Sequence, residues 1–170
     1  MTSAPPPDDA STPPGDNAPE HELGAVAPEH EPGADAPGII RDQSGAQALV
    51  GYVVDIGQDD GKARAWLNLS EHHMNRVGML HGGLTAALLD AACGFTASRM
   101  FGGQGAVKTP LVTVSLTVNF VDGGRLGERV TATGHPAGGG RKIAHVTGEL
   151  RGGDDRLLAT CTGVFRRITT

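Results

Sequence analysis

From residue 38 onward, apolar and polar positions alternate in segments that read as strands, and one long interior run breaks the alternation. Lys62-Ala63-Arg64-Ala65-Trp66-Leu67-Asn68-Leu69 keeps a period of two, the pattern of a half-buried strand. Leu49 to Ile56 is also strand-like, and Gly57-Gln58-Asp59-Asp60-Gly61 between the two has turn chemistry. From Gly82 to about Phe101 the pattern changes. Leu84, Leu88, Ala91 and Phe95 recur at helical spacing, giving a stripe that wants a core, and Gly102-Gly103-Gln104-Gly105 ends the run. Four more strands are predicted over 111–121, 128–136, 141–150 and 156–167. Asp122-Gly123-Gly124 and Gly152-Gly153-Asp154-Asp155 are hairpin-length separators. Two strands, a helix and four strands predict an α+β fold, an antiparallel sheet of five to six strands with one long helix against its face.

The helix holds the first chemical clue. Asp90 is the only ionised side chain between Gly82 and Ser98, and an acid alone on an apolar helix needs a function or a specific partner. The chain enters the helix through Asn75-Arg76-Val77-Gly78-Met79-Leu80-His81-Gly82-Gly83. At a helix start the backbone N–H groups lack intrahelical partners, and the glycines Gly82 and Gly83 let a ligand approach them closely enough to hold an oxyanion. His81 and Asp90 are nine residues apart, on opposite sides of the helix and about 13 Å apart along its axis. One copy cannot present both ends to one atom, whereas two antiparallel copies across a two-fold axis can. Ala86, Cys93, Gly94 and Ala97 around Asp90 read as the contact side for that second copy. The expectation is a dimer with its active site at the subunit junction.

Composition separates a tail from a body. The first 38 residues hold 9 of the 11 prolines, 8 of the 19 acids, no aromatic residue and no Lys or Arg. Such a segment cannot bury enough apolar surface to offset its ordering entropy, so residues 1–38 are expected to be a disordered acidic tail and 39–170 the folded domain. The body then has 14 basic against 11 acidic residues, a net +3 that suits an anionic ligand. Nucleic-acid binding would want a denser basic stripe. No apolar run is long enough for a membrane span, and the N-terminus lacks the basic and apolar regions of a secretory signal, so a cytoplasmic protein is expected. Cys93 and Cys161 read as small buried hydrophobes. Glu71-His72-His73, with His81 further on, matches neither a helical His pair nor a zinc-finger layout, so no metal is expected. Ser98 and Ser115 lack a nucleophile-elbow context. Gly138-Gly139-Gly140-Arg141-Lys142 fits a phosphate-facing turn and a plain glycine hairpin with solvated charges equally well.

Asn75-x-x-Gly78-x-x-His81-Gly82-Gly83, Asp90 on the following helix and Leu111-Val112-Thr113-Val114-Ser115-Leu116 on the next strand resemble a hotdog-fold acyl-CoA thioesterase of the PaaI-like, phenylacetic-acid-degradation type. The resemblance runs from about Gln47 to Ile168. It implies a sheet wrapped around the central helix and an acyl-CoA or aroyl-CoA substrate cleaved without a cofactor. It also implies a homodimer or dimer of dimers with shared sites. In its terms the Gly82 N–H and Asn75 polarise the thioester carbonyl, and Asp90 from the other subunit acts as general base or nucleophile. Thr113 steadies the water. Read from the residues alone, His81 either fixes the turn or moves a proton, Gly83 is a candidate substrate contact at the same turn, and Arg141 and Lys142 are candidates to face the coenzyme A phosphates. Two other readings stay open: an enoyl-thioester hydratase or dehydratase of the same fold, using His81 with an acid, and a non-catalytic acyl-CoA-binding module.

Overall fold

The computed structural model describes residues 36–102 and 109–168, with Met1 and Gly33 besides. Most of the acidic tail, and residues 103–105 of the expected glycine break, lie outside the described residues. In chain order the elements are β1 (Ile39–Ile40), α1 (Gly45–Val50), β2 (Val53–Asp55), β3 (Arg64–Asn68), a 3-10 turn (Glu71–His73), α2 (Gly82–Gly102), β4 (Leu111–Phe120), β5 (Arg129–Gly139), β6 (Ile143–Arg151) and β7 (Leu157–Arg167). The strands form one antiparallel sheet in the order β1-β2-β3-β5-β6-β7-β4, and α2 packs across its face. This is the α+β, hotdog-like arrangement of one long helix on an antiparallel sheet. The strand beyond the expected five to six is β1, whose two residues are too few for an alternation to show in sequence.

One element differs from expectation. Leu49 and Val50 do not begin a strand; they end the helix α1, and β2 spans only Val53–Asp55. The cause is local hydrogen bonding. The Ser44 hydroxyl caps Gln47 N–H at 3.1 Å, while the Gln47 side chain accepts from Gln43 N–H at 3.1 Å. The Gln47 amide then donates to the carbonyls of Ile40 (2.9 Å) and Tyr52 (3.1 Å), tying β1 to the start of β2. Gly51, left-handed at φ 82°, closes the helix.

The helix also faces the sheet along a different line from the one its large residues suggest. Its buried residues are Thr85, Leu88, Leu89, Ala92, Cys93, Thr96, Ala97 and Ser98. Leu84, Ala91 and Phe95 are only half-buried, and two supposed contact-side residues, Cys93 and Ala97, lie in the core. Close approach of helix and sheet explains this. A Cβ at Gly134 on β5 would stand 2.7 Å from the Ala92 carbonyl oxygen, and one at Gly148 on β6 would stand 2.7 Å from the Cys93 sulfur. Glycines below and small residues above let the two layers touch, so the small stripe serves the interior. Asp90 thereby faces away from the sheet's middle, toward β4 at its edge.

Candidate active site

The segment entering α2 is held on all sides. Asn75 N–H donates to the Met79 carbonyl (2.7 Å) and Gly78 N–H to the Asn75 carbonyl (3.1 Å). The Asn75 side-chain oxygen accepts from Val77 N–H (3.0 Å) and Met79 N–H (3.1 Å). Gly78 sits at φ 75°, which explains the glycine three residues after the asparagine. Leu80 N–H reaches the Gly124 carbonyl (2.9 Å) and His81 N–H the His73 carbonyl (2.9 Å), so neighbouring loops brace the turn. Because the Asn75 oxygen is occupied by two N–H donors, the NH2 end of that amide is its remaining donor.

His81 caps the helix twice. Its carbonyl accepts from Leu84 N–H (2.9 Å) and Thr85 N–H (3.1 Å), and its Nδ1 accepts from Gly83 N–H (3.0 Å). Accepting at Nδ1 places the proton of the neutral ring on Nε2. The Gly83 N–H is thus used inside the protein. Among the described residues, nothing accepts from the Gly82 N–H, which is left as the one free donor at the positive end of the α2 dipole. The Phe120 ring lies beside Gly82, 3.4 Å from where a Cβ would be, a neighbour that no sequence pattern announced.

Asp90 and Thr113 meet directly, the Thr113 hydroxyl donating to Asp90 Oδ1 at 2.8 Å. A β-bulge makes this possible. The register of β4 against β7 slips between Thr113 and Ser115, so Leu111 and Thr113 face the helix before the slip, and Leu116 and Val118 pack on the core after it. Without the slip, a strict alternation could not put both Thr113 and Leu116 on the helix side. A cavity of about 290 Å³ opens from this pair. Gly94, Phe95 and Leu111 wall it, and Ser98 and Thr109, joined by a 3.1 Å hydrogen bond from the Ser98 hydroxyl to the Thr109 carbonyl, line the end away from Asp90. The charge of Asp90 adds to burial in holding the Tyr52 phenol above its ordinary pKa.

The structure therefore gathers the expected site residues into two groups. Asn75, His81, Gly82 and Gly83 form one at the start of α2; Asp90 and Thr113 form the other. Eight helical steps, about 12 Å of unbroken helix, separate Gly82 from Asp90 within the chain. Arg141 and Lys142 stand apart from the first group, on the β5–β6 turn at the sheet end where α2 finishes. His73, the histidine nearest the hypothetical metal spacing, has both ring nitrogens engaged, with Ser70 N–H at 2.9 Å and the Val50 carbonyl at 3.1 Å. Among the described residues, no three His, Cys, Asp or Glu side chains are placed to share a metal ion.

A family model described as the thioesterase superfamily matches residues 77–159, from the turn before α2 to β7. A candidate esterase of Pseudomonas aeruginosa is 31% identical over 99 residues, which are 58% of this chain and 70% of that protein. The chain belongs to the thioesterase superfamily. Acyl-coenzyme A thioesterase 13 of Homo sapiens is 29% identical to this superfamily member over 104 residues, 61% of this chain and 71% of the human protein. The structure of the Escherichia coli PaaI protein, from the phenylacetic acid degradation operon, superposes with a TM-score of 0.63 at 23% identity. That match covers 75% of this chain and 86% of the other, a likeness of fold. Among the described residues, no helix is long and apolar enough to cross a membrane.

Proposed function

We propose that this thioesterase-superfamily chain hydrolyses acyl-CoA or aroyl-CoA thioesters to the free acid and coenzyme A, working as a homodimer or dimer of dimers with shared sites. One observation carries the reading: at the start of α2 only the Gly82 N–H lacks an acceptor among the described residues, its neighbour being taken by His81. That N–H and the Asn75 amide hold the thioester oxygen. Asp90 of the partner subunit takes a proton from water while Thr113, bonded to Oδ1, keeps the second carboxylate oxygen turned to that task. Water oxygen attacks the carbonyl carbon, the tetrahedral oxyanion rests on the two donors, and its collapse breaks the C–S bond. The proton held by Asp90 passes to the departing thiolate. A single oxyanion donor is worth about 3 kcal/mol and a placed general base about 10²–10⁴ in rate.

The edge strand supports a second copy. Among the described residues β4 pairs only with β7, and Val112, Thr113, Val114 and Ser115 are all exposed in sequence, so its outer edge is left open. Val114 and Phe120 are 58% and 61% exposed. The human relative's name supports the substrate class.

The experiment is release of free thiol from a panel of aliphatic and aromatic CoA thioesters, with hydration of crotonyl-CoA followed beside it. Hydrolysis without hydration is expected. Hydration alone would make the chain a hydratase, and binding without either reaction would make it a carrier module.

A further inference from the structure

We infer that the corner of the sheet carrying Lys142 and Arg167, flanked by Arg141 and Arg166, is an anion site for the phosphates at the nucleotide end of coenzyme A. The inference rests on the thioesterase reading above. The β5–β6 turn and the end of β7 build the corner together: Arg167 N–H donates to the Lys142 carbonyl at 3.0 Å, and Arg166 is the register partner of Ile143. All four cations are exposed, and among the described residues no carboxylate lies within ion-pair distance of any of them. Three other arginines are answered by acids. Arg64 pairs with Asp60, Arg151 with Glu149 and Asp155, and Arg156 with Asp122, Glu128 and Asp154. Four unanswered charges stand together here on a body of net +3, so the corner carries a positive potential.

Placement connects the corner to the site. Phe165 is buried under Gly94 of α2, and Arg167, two residues further on, falls on the same face of the sheet. Its register partner on β4 is Leu111, a wall of the cavity that starts at Asp90 and Thr113. Ile168 N–H, bonded to the Pro110 carbonyl at 2.9 Å, fixes the end of β7 against the segment lining that cavity. A substrate arm leaving Asp90 along the cavity therefore emerges beside Arg167 and Lys142. Phosphates are recognised by such cations, arginine through its planar fork and lysine as a point charge.

The test replaces Lys142→Gln and Arg167→Gln together, exposed positions where loss of charge leaves the fold intact, with Arg151→Gln as the control. Calorimetry with 3′,5′-ADP as the probe reads the site without any reaction. The wild type and the control should bind, and the double variant should lose tenfold or more. For hydrolysis, KM for benzoyl-CoA and hexanoyl-CoA should rise at least tenfold at a kcat within twofold. The N-acetylcysteamine thioesters of the same acids, which lack the nucleotide, should be unaffected. No binding of 3′,5′-ADP by the wild type, or undiminished binding by the double variant, would overturn the site. So would equal losses on the CoA and N-acetylcysteamine thioesters. Binding of 3′,5′-ADP that depends on the pair, in a protein that hydrolyses no thioester, would leave the site standing and overturn the hydrolytic reading instead.

Discussion

Replacing Thr113 by valine removes one hydroxyl while keeping the shape of the side chain. That hydroxyl donates to Asp90 Oδ1 at 2.8 Å, a neutral donor on a charged acceptor, a class of bond whose loss costs about 1.5–3 kcal/mol. Thr113 is exposed and Asp90 half-buried in the single chain, so water takes over part of the bond and the lower end, about 1.5 kcal/mol, applies. In the hydrolytic step this is about a tenfold fall in kcat. Stability should fall by no more than that same ~1.5 kcal/mol, a few degrees of melting temperature, so the variant stays folded. Thr113→Ser keeps the donor and should recover most of the rate. Steady-state thiol release and thermal melting of both variants decide the matter. Full turnover in the valine variant, or a serine variant as slow as the valine one, would refute an orienting role for this hydroxyl and make Thr113 a packing residue.

His81→Asn leaves an acceptor at the position of Nδ1, whereas His81→Gln moves it to the position of Nε2. A cap on Gly83 N–H therefore implies near-normal kcat for Asn and about a tenfold loss for Gln, and the opposite order would mean that His81 moves a proton. Gly148→Ala would place a methyl group 2.7 Å from the Cys93 sulfur and 2.8 Å from the Cys161 sulfur, so melting should fall by several degrees, the mark of about 1–3 kcal/mol of overpacking. Adding Cys161→Ala should recover part of it, and a melting temperature unmoved by Gly148→Ala would show that the layers are looser than the geometry says.

Much of this was legible in the sequence, for identifiable reasons. β3, β4, β6 and β7 were found within a few residues because period-two alternation and glycine-rich turns agree there, and α2 because its spacing and its glycine-bounded ends agree. The Asn75–Gly83 motif was readable because backbone geometry demands it: Gly78 for its positive φ, and Asn75 for an oxygen that binds two N–H groups. α1 was missed because its apolar end continues into β2, although Ser44-x-x-Gln47 and Gly51 were a capping signal in plain view. The core face of α2 was misplaced because side-chain size was taken to mark the core. Size fails where glycines on the partner sheet invite small residues. The bulge at Thr113 left no sequence mark, since it shows only in the pairing of β4 with β7.

The account stands or falls on Asp90, and Asp90→Asn is the cleanest probe of it. Asparagine is nearly isosteric and can still accept from the Thr113 hydroxyl, so folding and melting temperature should be kept. It cannot take a proton from water at neutral pH, and release of free coenzyme A from the best substrate of the wild type should fall about 10²–10⁴-fold. A folded Asp90→Asn protein that releases coenzyme A at the wild-type rate would contradict the assignment of this carboxylate to the reaction.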